Sequence, residues 1–489
     1  MMKLQLSSSS SATLVNIQAK LPILQGGFIN HQNKSLNPSF SLSSLYPSFF
    51  ISNSLHHSQY PSWSFPPVNQ SVAAILFGDG SKAGLYPLTK RRSEGAIPIA
   101  ANYRIIDAVV SNCLNSNINK IYAFTQFNSA SLNSHLSRAY SRLGKEGFAE
   151  VIAAYQSPED QGWFQGTADA MRRCLWVLEE YPVIEFLVLP GHHLYRMDYQ
   201  KLIEAHRTGE ADITIVGLSA IRDRDPGFGI LDLDSANQVI KFSHKSGNVQ
   251  RNGCISVESS MKPNSAILNK IQSMGIYVIN RDKMLKLLNE SFPEANDFGI
   301  EVIPGAISIG MKVKGYVFDG YWEDMKSIGA FYRANMECIK KSDMEYNFYD
   351  KHSPLYTMPR CLPPTSVEDV VIIDSLIGDG CILNRCNIKG SVVGMRTRIR
   401  DGVTIEDSVI MGFDIYQKED DQKSIPIGIG EDTLIRKAIV DKNVRIGKNV
   451  KIINKDNVQE GDREASGYII REGVVVVIRS AVIPDGTIL

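Results

Sequence analysis

The stretch VVIIDSLIGDGCILNRCNIKGSVVGMRTRIRDGVTI (residues 370–405) decides the architecture of the C-terminal part of the chain. Its aliphatic residues recur every six positions, as do those of a later stretch (residues 440–458), and glycine follows several of them. A six-residue period predicts a parallel β-helix, with one strand per hexad and aliphatic side chains stacked inside. A polar insert at residues 414–424 is expected to loop out of one coil. The repeating positions form three series, which are Val370, Leu376, Ile382 and Ile388, then Val393, Ile399 and Ile405, and later Val440, Ile446, Ile452 and Val458.

The chain before this repeat alternates short apolar runs with helical stretches, which is typical of an α/β domain. We predict a mostly parallel sheet covered on both faces by helices. Ligands then bind at the carboxyl ends of the strands, where loops such as the one containing Gly78 and Gly80 emerge. The predicted strands are residues 71–77, 118–125, 186–189, 211–218 and 275–279, and the predicted helix is residues 129–140.

The first 70 residues have a different composition from the rest of the chain. They contain sixteen serines, three lysines and no Asp or Glu. A serine-rich, acid-free segment is typical of an organellar transit peptide, and the scarcity of arginine favours a plastid; disorder without a targeting role is the alternative. The predicted organisation is residues 1–70 as transit peptide or disordered segment, 71–345 as the α/β domain, 346–366 as a linker and 367–489 as the β-helix.

The overall composition excludes several classes of function. The 489 residues suffice for two domains, and 52 basic residues balance 52 acidic ones, so no global field indicates a nucleic-acid or membrane partner. No run of eighteen apolar residues occurs that would span a bilayer. The seven cysteines are scattered and form no CxxC pair, which favours reduced thiols over a disulfide scaffold or a zinc site.

Several long, non-repetitive motifs carry a resemblance to a known family. They are LYPLTKRR (85–92), ANYRIID (101–107), WFQGTADA (163–170), HLYRMDY (193–199) and GYWED (320–324). With VDKNVRIGKNVKIINKDNV (440–458), they closely resemble the small subunits of plant ADP-glucose pyrophosphorylase, that is, glucose-1-phosphate adenylyltransferase. The resemblance extends from about residue 72 to the end of the chain.

This resemblance implies a Rossmann-like nucleotidyltransferase domain followed by a left-handed parallel β-helix. It also implies an allosteric heterotetramer of the chloroplast stroma that acts in starch biosynthesis and uses Mg²⁺ to make ADP-glucose and diphosphate. The implied small-molecule ligands are ATP, glucose 1-phosphate, and the regulators 3-phosphoglycerate and phosphate. The implied protein partners are large-type and other small-type subunits, and neither nucleic acid nor a membrane is expected.

The chain departs from the family pattern where the family binds the phosphates of the nucleotide. FGDGSKAGLYPL (77–88) stands where the family resembles GGGAGTRLYPL, so the loop is one residue longer, gains Asp79 and lacks the arginine before the leucine. Glu94 occupies the position of a family lysine that covers phosphate charge. Acidic groups at these positions oppose a negatively charged triphosphate, although Lys82 could supply a compensating charge.

A further departure concerns the metal ligands. His192 stands at the position of the family aspartate that holds the catalytic metal, and neutral imidazole is a poor ligand for Mg²⁺. The second metal carboxylate is retained as Asp324, with Lys326 introduced beside it, so Asp324 is left as a weak metal ligand and Mg²⁺ binding is doubtful. A zinc pair of His192 and His193 is disfavoured, because adjacent residues at a strand end are expected to point apart.

Other positions match the ligand-binding residues of the family, and the resemblance alone assigns their roles. No disulfide of the light-linked type is expected, because the first cysteine is Cys113, inside the α/β domain. The matching residues are Gly78, Gly80, Gln156, Gly166, Thr167 and Ala168 for the nucleotide, Lys245, Ser273 and Gly275 for the sugar phosphate, and Arg92, Arg104, Lys442 and Arg479 for the anionic activator.

Three hypotheses about function follow from the sequence. The favoured one is a catalytically impaired or inactive subunit that modulates a partner subunit. The second is an active glucose-1-phosphate adenylyltransferase that uses Lys82 and other groups to compensate. The third is a regulator that binds a sugar or phosphate without any partner.

Overall fold

The computed structural model describes residues 65–78, 83–141, 147–154, 162–219, 227–245, 254–258, 269–340, 346–417 and 425–489. Of residues 244–245, 254–258 and 269 it describes the backbone only. Residues 64–489 form one compact unit. Within the described part of the chain, no helix has the length and apolar character that a membrane crossing requires.

Helices of four to eleven residues cover the α/β domain. Most lie against the faces of the main sheet, and α9 lies at the contact with the β-helix. Short 3₁₀ segments occur at Ala83–Leu85, Glu94–Ala96 and Glu464–Ser466. The α-helices are α1 (Val68–Ser71), α2 (Ile105–Asn115), α3 (Ala130–Ala139), α4 (Thr167–Arg173), α5 (Leu175–Leu178), α6 (Tyr199–Thr208), α7 (Arg281–Lys286), α8 (Ile303–Ser308) and α9 (Ile328–Glu337).

The main sheet is mixed, which corrects the prediction of a mostly parallel sheet. Four of its described pairings are parallel and five are antiparallel. The connection between β9 (Ile230–Leu233) and β10 (Val239–Lys245) is too short for the crossover that a parallel pair requires. The remaining strands are β1 (Val72–Phe77), β4 (Lys120–Thr125), β5 (Phe148–Ala153), β6 (Glu185–Pro190), β8 (Ile213–Ser219), β11 (Cys254–Glu258), β12 (Asn269–Asn280) and β13 (Val313–Phe318).

Two small ladders flank the main sheet. One pairs β2 (Pro98–Ile99) with β3 (Tyr103–Arg104), and the other pairs β7 (His193–Tyr195) with β14 (Trp322–Asp324). Apolar clusters fill both faces of the main sheet, and a third cluster lies where the α/β domain meets the β-helix. The second ladder lies at the carboxyl end of β6, where the sequence places the metal site.

The C-terminal domain is a parallel β-helix with three columns of short strands around an aliphatic core. One column contains β15 (Ser366–Glu368), β18 (Ile382–Asn384), β21 (Arg398–Ile399), β24 (Gly428–Ile429), β27 (Arg445–Ile446) and β32 (Val482–Ile483). The second contains β16 (Val371–Ile373), β19 (Asn387–Lys389), β22 (Thr404–Glu406), β25 (Leu434–Arg436) and β28 (Lys451–Ile452). The third contains β17 (Leu376–Ile377), β20 (Val392–Val393), β23 (Val409–Ile410), β26 (Ala438–Val440) and β31 (Val474–Val477), with β30 (Tyr468–Arg471) and β29 (Gly461–Arg463) added antiparallel.

The interior of the β-helix differs in places from the predicted hexads. Leu383 points inside the second coil, whereas its neighbour Ile382 is only half-buried. Val458 is 37% exposed, because it lies in the excursion that leads from β28 to the antiparallel hairpin of β29 and β30. The part of the 414–424 insert that is described, residues 414–417, contains no strand, and residues 418–424 lie outside the described part.

The folded part of the chain begins before residue 71, which corrects the predicted N-terminal boundary. Helix α1 starts at Val68, whose side chain packs against the apolar core of the α/β domain. Arg207 donates to the carbonyl oxygen of Pro66 (3.0 Å), and Lys120 donates to that of Asn69 (2.7 Å). These contacts attach residues 65–70 to the domain, although their composition resembles that of the preceding segment.

The segment predicted as a linker, residues 346–366, packs closely against the α/β domain. Tyr346 and Phe348 are buried in the cluster between the domains. Thr357 donates to Asp107 (2.7 Å), a fully buried carboxylate that also accepts hydrogen bonds from Tyr140 and from the backbone of Arg104. The segment therefore contributes to the contact between the two domains.

Candidate active site

The ladder of β7 and β14 brings a histidine and an aspartate together. In this antiparallel pair His193 lies directly opposite Asp324, so their side chains share one face of the ladder. The ladder is extended by one further bond, in which the Met325 backbone N–H donates to the carbonyl oxygen of His192 (3.2 Å).

Both imidazoles of the adjacent histidines face the carboxylate of Asp324. The distance to Asp324 Oδ1 is 3.5 Å from His192 Nε2 and 3.7 Å from His193 Nε2. The two histidines therefore converge, which corrects the expectation that they point apart. That expectation assumed an extended strand, but His192 lies in a turn between β6 and β7, where side chains do not alternate.

The two carboxylate oxygens of Asp324 have different charged and polar neighbours. Lys326 Nζ lies 3.6 Å from Oδ2, whereas, within the described part of the chain, Oδ1 faces the two imidazoles. Burial lowers the pKa of His193 well below its usual value, and the neighbouring His192 and Lys326 lower it further, so the ring is neutral at neutral pH. Asp324 thus retains its carboxylate but has lost a carboxylate partner and gained a cationic one.

The buried polar atoms of this group lack hydrogen-bond partners. His192 Nδ1, His193 Nε2 and Asp324 Oδ1 are all buried without a partner among the residues that the structure describes. The other ring nitrogen of His193 faces the indole N–H of Trp322 at 3.4 Å. Three donor atoms, one from each of these three residues, lie within 4.8 Å of one another. The donor set is two imidazoles and one carboxylate.

The loop after β1 lies beside this group. Gly78, at its start, donates to the carbonyl oxygen of Phe124 (2.9 Å), and Asp79, Gly80 and Lys82 lie outside the described residues. At the end of the loop, a Cβ on Gly84 would lie 1.9 Å from the carbonyl oxygen of Lys326. The end of the loop at Gly84 therefore packs directly onto the segment that follows Asp324.

Glu94 lies in the 3₁₀ segment Glu94–Ala96, next to the same loop. Glu94 is 7% exposed, so the acidic residue that replaces the family lysine is buried in the domain. The adjacent Gly95 donates to the carbonyl oxygen of Gly78 (3.3 Å), which ties this segment to the start of the phosphate loop. The Glu94–Ala96 segment, which contains the reversed charge, thus contacts the start of the phosphate loop, which also departs from the family pattern.

The positions that match the nucleotide site lie at the start of α4. The Thr167 hydroxyl accepts from the Phe298 backbone N–H (2.9 Å), and the Ala168 backbone N–H donates to Asn296 (2.8 Å). A Cβ on Gly166 would lie 2.4 Å from the carbonyl oxygen of Asn296. These groups hold the start of α4 against residues 296–298, and Gln156 lies outside the described residues.

The positions that match the sugar pocket lie in an irregularity of β12, where the register shifts between Ser273 and Ile276. Ser273 is buried, and its hydroxyl accepts from the Gly275 backbone N–H (3.2 Å). Gly275 has φ +70°, and a Cβ there would lie 3.0 Å from the ring of Phe228. The same ring lies 5.6 Å from that of His193, so the irregularity borders the histidine pair. The backbone of Lys245 ends β10, and its side chain is not described.

Two of the residues matched to the activator site converge on an acid that the sequence did not indicate. Lys442 Nζ lies 2.5 Å from Asp414 Oδ1, and Arg479 Nη2 lies 3.0 Å from Asp414 Oδ2. Burial lowers the pKa of Lys442 to about 8, although Asp414 opposes this shift. Burial alone would raise the pKa of Asp414, but Lys442, Asn443 and Arg479 more than offset this and hold it at about 2.

The other two matched residues are held in the contact between the domains. Arg104 donates to the carbonyl oxygen of Ser131 (2.7 Å), and burial lowers its pKa to about 10. Arg92 is 2% exposed, pairs with Asp441 at 2.5 Å and donates through Nε to the carbonyl oxygen of Leu88 (3.0 Å). Its Nη1 has no hydrogen-bond partner among the described residues, and its role in binding the activator stays a prediction.

Sequence reasoning missed other cations of this region. Besides burial, the charge of Arg360 lowers the pKa values of both Arg104 and Lys442. Burial, and then the charge of Arg396, lowers the pKa of Arg360. A cavity of about 300 Å³ nearby is lined by Lys90, Arg91 and Arg479, among others. Arg360 lies in the predicted linker, and no local pattern marks it as part of a site.

Comparison with known proteins places both domains in described families. Residues 73–341 match the model of the nucleotidyl transferase family, and residues 360–488 match that of the GLGC left-handed parallel beta-helix domain. These matches confirm the predicted fold class.

The chain is similar over nearly its full length to proteins whose function has been described. It is 58% identical to the inactive glucose-1-phosphate adenylyltransferase small subunit 2, chloroplastic, of Arabidopsis thaliana, over 99% of this chain and 100% of that protein. It is 52% identical to the glucose-1-phosphate adenylyltransferase small subunit, chloroplastic/amyloplastic, of Triticum aestivum, over 87% of this chain and 92% of that protein.

Proposed function

The chain belongs to the glucose-1-phosphate adenylyltransferase family as a small-subunit-like member, and we propose that it is a non-catalytic subunit of that enzyme. One observation carries the proposal. The retained carboxylate, Asp324, has a histidine in place of its acidic partner, at 3.5 Å, and a lysine at 3.6 Å. The relative from Arabidopsis thaliana is named inactive, which agrees with this function.

The reaction explains why this change is severe. Glucose 1-phosphate attacks the α-phosphorus of ATP, and diphosphate leaves. The protein must hold two anions together and stabilise the charge that develops on the phosphates. Mg²⁺ prefers hard oxygen ligands, and the donor set of two imidazoles and one carboxylate does not fit it. We therefore propose that the chain binds Mg²⁺ and Mg·ATP weakly.

The expected loss of reaction rate can be estimated from the cost of removing single electrostatic groups in other enzymes. Removal of one such group costs roughly 2.7–4 kcal/mol of transition-state stabilisation. The loss of the metal carboxylate and the replacement of the charge-covering lysine by Glu94, even if only partly additive, lower the rate by about three to five orders of magnitude.

Turnover assays test the proposed function. The full-length chain, with Mg²⁺, ATP and glucose 1-phosphate, is expected to make no ADP-glucose above background. The small subunit of Triticum aestivum, at the same concentration, serves as the matched positive control. A turnover number within tenfold of that control would refute the non-catalytic function and favour an active enzyme with compensating residues.

We also propose that the chain acts within a plastid hetero-oligomer, in the stroma, together with a large-type subunit. Its relatives are chloroplastic or amyloplastic and are small subunits by name. The first coil of the β-helix offers a surface for such a partner, since Val367, Val371 and Ile373 expose about half of their area. Co-expression with a large-type subunit, followed by size-exclusion chromatography, is expected to give a hetero-oligomer. Introduction of a charge by Val371→Lys is expected to weaken it.

The proposal extends to the anion site between the domains. Lys442 and Arg479 lie on either side of Asp414, with Arg104 and Arg360 close enough to affect the pKa of Lys442. Such a cluster of cations suits a phosphorylated carboxylate such as 3-phosphoglycerate. We propose that an incoming anion displaces Asp414 from Lys442 and Arg479.

A further inference from the structure

The substitution that makes the site unsuitable for Mg²⁺ places two imidazoles next to a carboxylate. His193 and Asp324 are held on one face of the β7–β14 ladder, and the turn before β7 directs His192 to the same carboxylate oxygen. The side chains of His193 and Asp324 are 0% and 6% exposed, so protein surrounds these donors. From this geometry we propose that His192, His193 and Asp324 form a site for a borderline divalent ion of the Zn²⁺ type.

The distances are close to those that such an ion requires. With metal–nitrogen and metal–oxygen bonds of roughly 2.0–2.2 Å, tetrahedral ligand atoms lie about 3.3–3.5 Å apart. The two nitrogen–oxygen distances here are 3.5 and 3.7 Å. All three donor atoms lie within 4.8 Å of one another, so mainly the two imidazoles must approach each other. Two histidines and one carboxylate, with an open fourth position, make up a common zinc ligand set.

The buried donor atoms that lack partners support the same assignment. Asp324 Oδ1 and His193 Nε2 are both buried without a hydrogen bond. Buried polar atoms without partners are costly, and native proteins satisfy nearly all of them. Lys326 pairs with Asp324 through the other oxygen, Oδ2, and leaves Oδ1 to the metal. A bound cation would satisfy these atoms together.

The neighbouring indole supplies a spectroscopic reporter. The Trp322 N–H faces Nδ1 of His193 at 3.4 Å, and the two rings lie 5.2 Å apart. An imidazole that binds metal through Nε2 carries its proton on Nδ1, where it can no longer accept from the indole. Metal binding therefore ends this contact and changes the environment of Trp322.

The inference does not depend on the proposed function, because it concerns the equilibrium binding of a metal and not turnover. It also differs from the metal chemistry of the family, since the proposed ion prefers nitrogen ligands and Mg²⁺ prefers oxygen. An active chain could still bind zinc, and an inactive chain could bind none, so the two proposals fail separately.

Titration of the full-length, chelator-treated chain with Co²⁺ and Zn²⁺ tests the site. We expect one equivalent of Co²⁺ with the visible absorption bands of a tetrahedral ion, without thiolate charge transfer, and a change in tryptophan emission with the same midpoint. Zn²⁺ should displace the Co²⁺, and a hundredfold excess of Mg²⁺ should not.

Variants separate this site from adventitious binding. His192→Asn and Asp324→Asn are each expected to weaken Zn²⁺ binding by at least the roughly 10- to 100-fold that the loss of an outer-shell partner causes. His192→Asp should shift the preference of the site towards Mg²⁺, because it replaces a nitrogen ligand with a hard oxygen ligand. His352→Ala and Cys361→Ser, at exposed positions, are the matched controls and should bind Zn²⁺ as the unmodified chain does.

His192 lies in a partly exposed turn, so its variants should fold. Equal Zn²⁺ affinity in the unmodified chain and His192→Asn, or no binding by the unmodified chain, would overturn the proposal.

Discussion

At the scale of single residues, the candidate active site depends on the surroundings of Asp324. Its two oxygens face two imidazoles and one ammonium group, and none of these replaces a second carboxylate. Lys326 stabilises the carboxylate as an ion partner at 3.6 Å, so the fold can keep this group without a catalytic role for it. Retention of Asp324 is therefore a weak indicator of activity.

Restoration of the family residues tests which substitutions matter. His192→Asp alone is expected to leave the chain inactive, because Glu94 and the altered phosphate loop remain. His192→Asp combined with Glu94→Lys and replacement of residues 77–85 by GGGAGTRL should give measurable ADP-glucose synthesis. The loop must be exchanged whole, because any Cβ at position 84 in the present backbone meets the carbonyl of Lys326 at 1.9 Å. Near-full activity of the single variant would show that the loop and Glu94 matter less than proposed here.

The anion site should respond to pH through Lys442. Burial lowers the pKa of this lysine to about 8, so it is charged below that pH and loses its charge above it. Affinity for 3-phosphoglycerate is therefore expected to fall by up to about tenfold as the pH rises from 7 to 9, because the charged fraction of a lysine with a pKa of about 8 falls about tenfold over this range. Calorimetry at several pH values measures this.

The matched variant for that experiment keeps the charge. Lys442→Arg should bind the anion with little change over the same range, because a guanidinium stays protonated. If the unmodified chain and Lys442→Arg lose affinity in parallel, another group controls the pH dependence.

At the scale of elements, the hairpin of β29 and β30 connects the β-helix to the active site. Glu464, in the turn of the hairpin, accepts from Tyr86 (2.6 Å) and pairs with Lys90, both of which follow the phosphate loop. Glu472, just after β30, accepts from the Gly329 backbone N–H (3.1 Å) in the first turn of α9. Helix α9 begins four residues after Asp324, so the hairpin contacts both segments that border the candidate active site.

Removal of the charge of Glu472 should loosen this connection. A carboxylate at a helix N-terminus contributes about 0.5–1 kcal/mol, so Glu472→Asn is expected to lower the free energy of unfolding by that amount. Urea denaturation measures the change. Glu210→Asn is the matched control, because both residues have positive φ, 51° and 47°, and within the described residues Glu210 pairs with Lys312 (3.7 Å) and not with a helix N-terminus. An equal loss in the two variants would contradict the role of Glu472.

Sequence patterns predicted these elements unequally, for physical reasons. The hexads identified the β-helix because each coil repeats the same packing. They could not decide between Ile382 and Leu383, since both are aliphatic and adjacent side chains in a strand point in opposite directions.

The direction of β12 was missed because strand direction depends on connections, not on the apolar pattern. The convergence of His192 and His193 depends on a turn. Asp414 meets Lys442 and Arg479 because they follow stacked strands of one β-helix column, and Arg360 approaches from the predicted linker.

At the scale of the whole molecule, the substitutions are confined to one part of the fold. The triphosphate loop, Glu94 and the metal ligands are changed, whereas the β-helix core is continuous and the cations between the domains remain. A chain that only accumulated damage would be expected to lose core and regulatory residues as well. Because the substitutions are confined to the metal and triphosphate side, we favour the interpretation that the protein still folds, assembles and binds regulators.

This division leads to opposite expectations for two ligands of the same chain. In isothermal calorimetry, the full-length chain, alone or with a large-type subunit, should bind 3-phosphoglycerate, because Lys442, Arg479 and Arg104 retain their charges around Asp414. Under the same conditions it should bind Mg·ATP weakly, because two imidazoles and Lys326 surround the remaining metal carboxylate. Lys442→Gln should lower affinity for the first ligand without affecting the second, and His192→Asp should raise affinity only for the second. Tight binding of Mg·ATP together with no binding of the activator would contradict this division, because the altered site would then bind its ligand and the retained site would not.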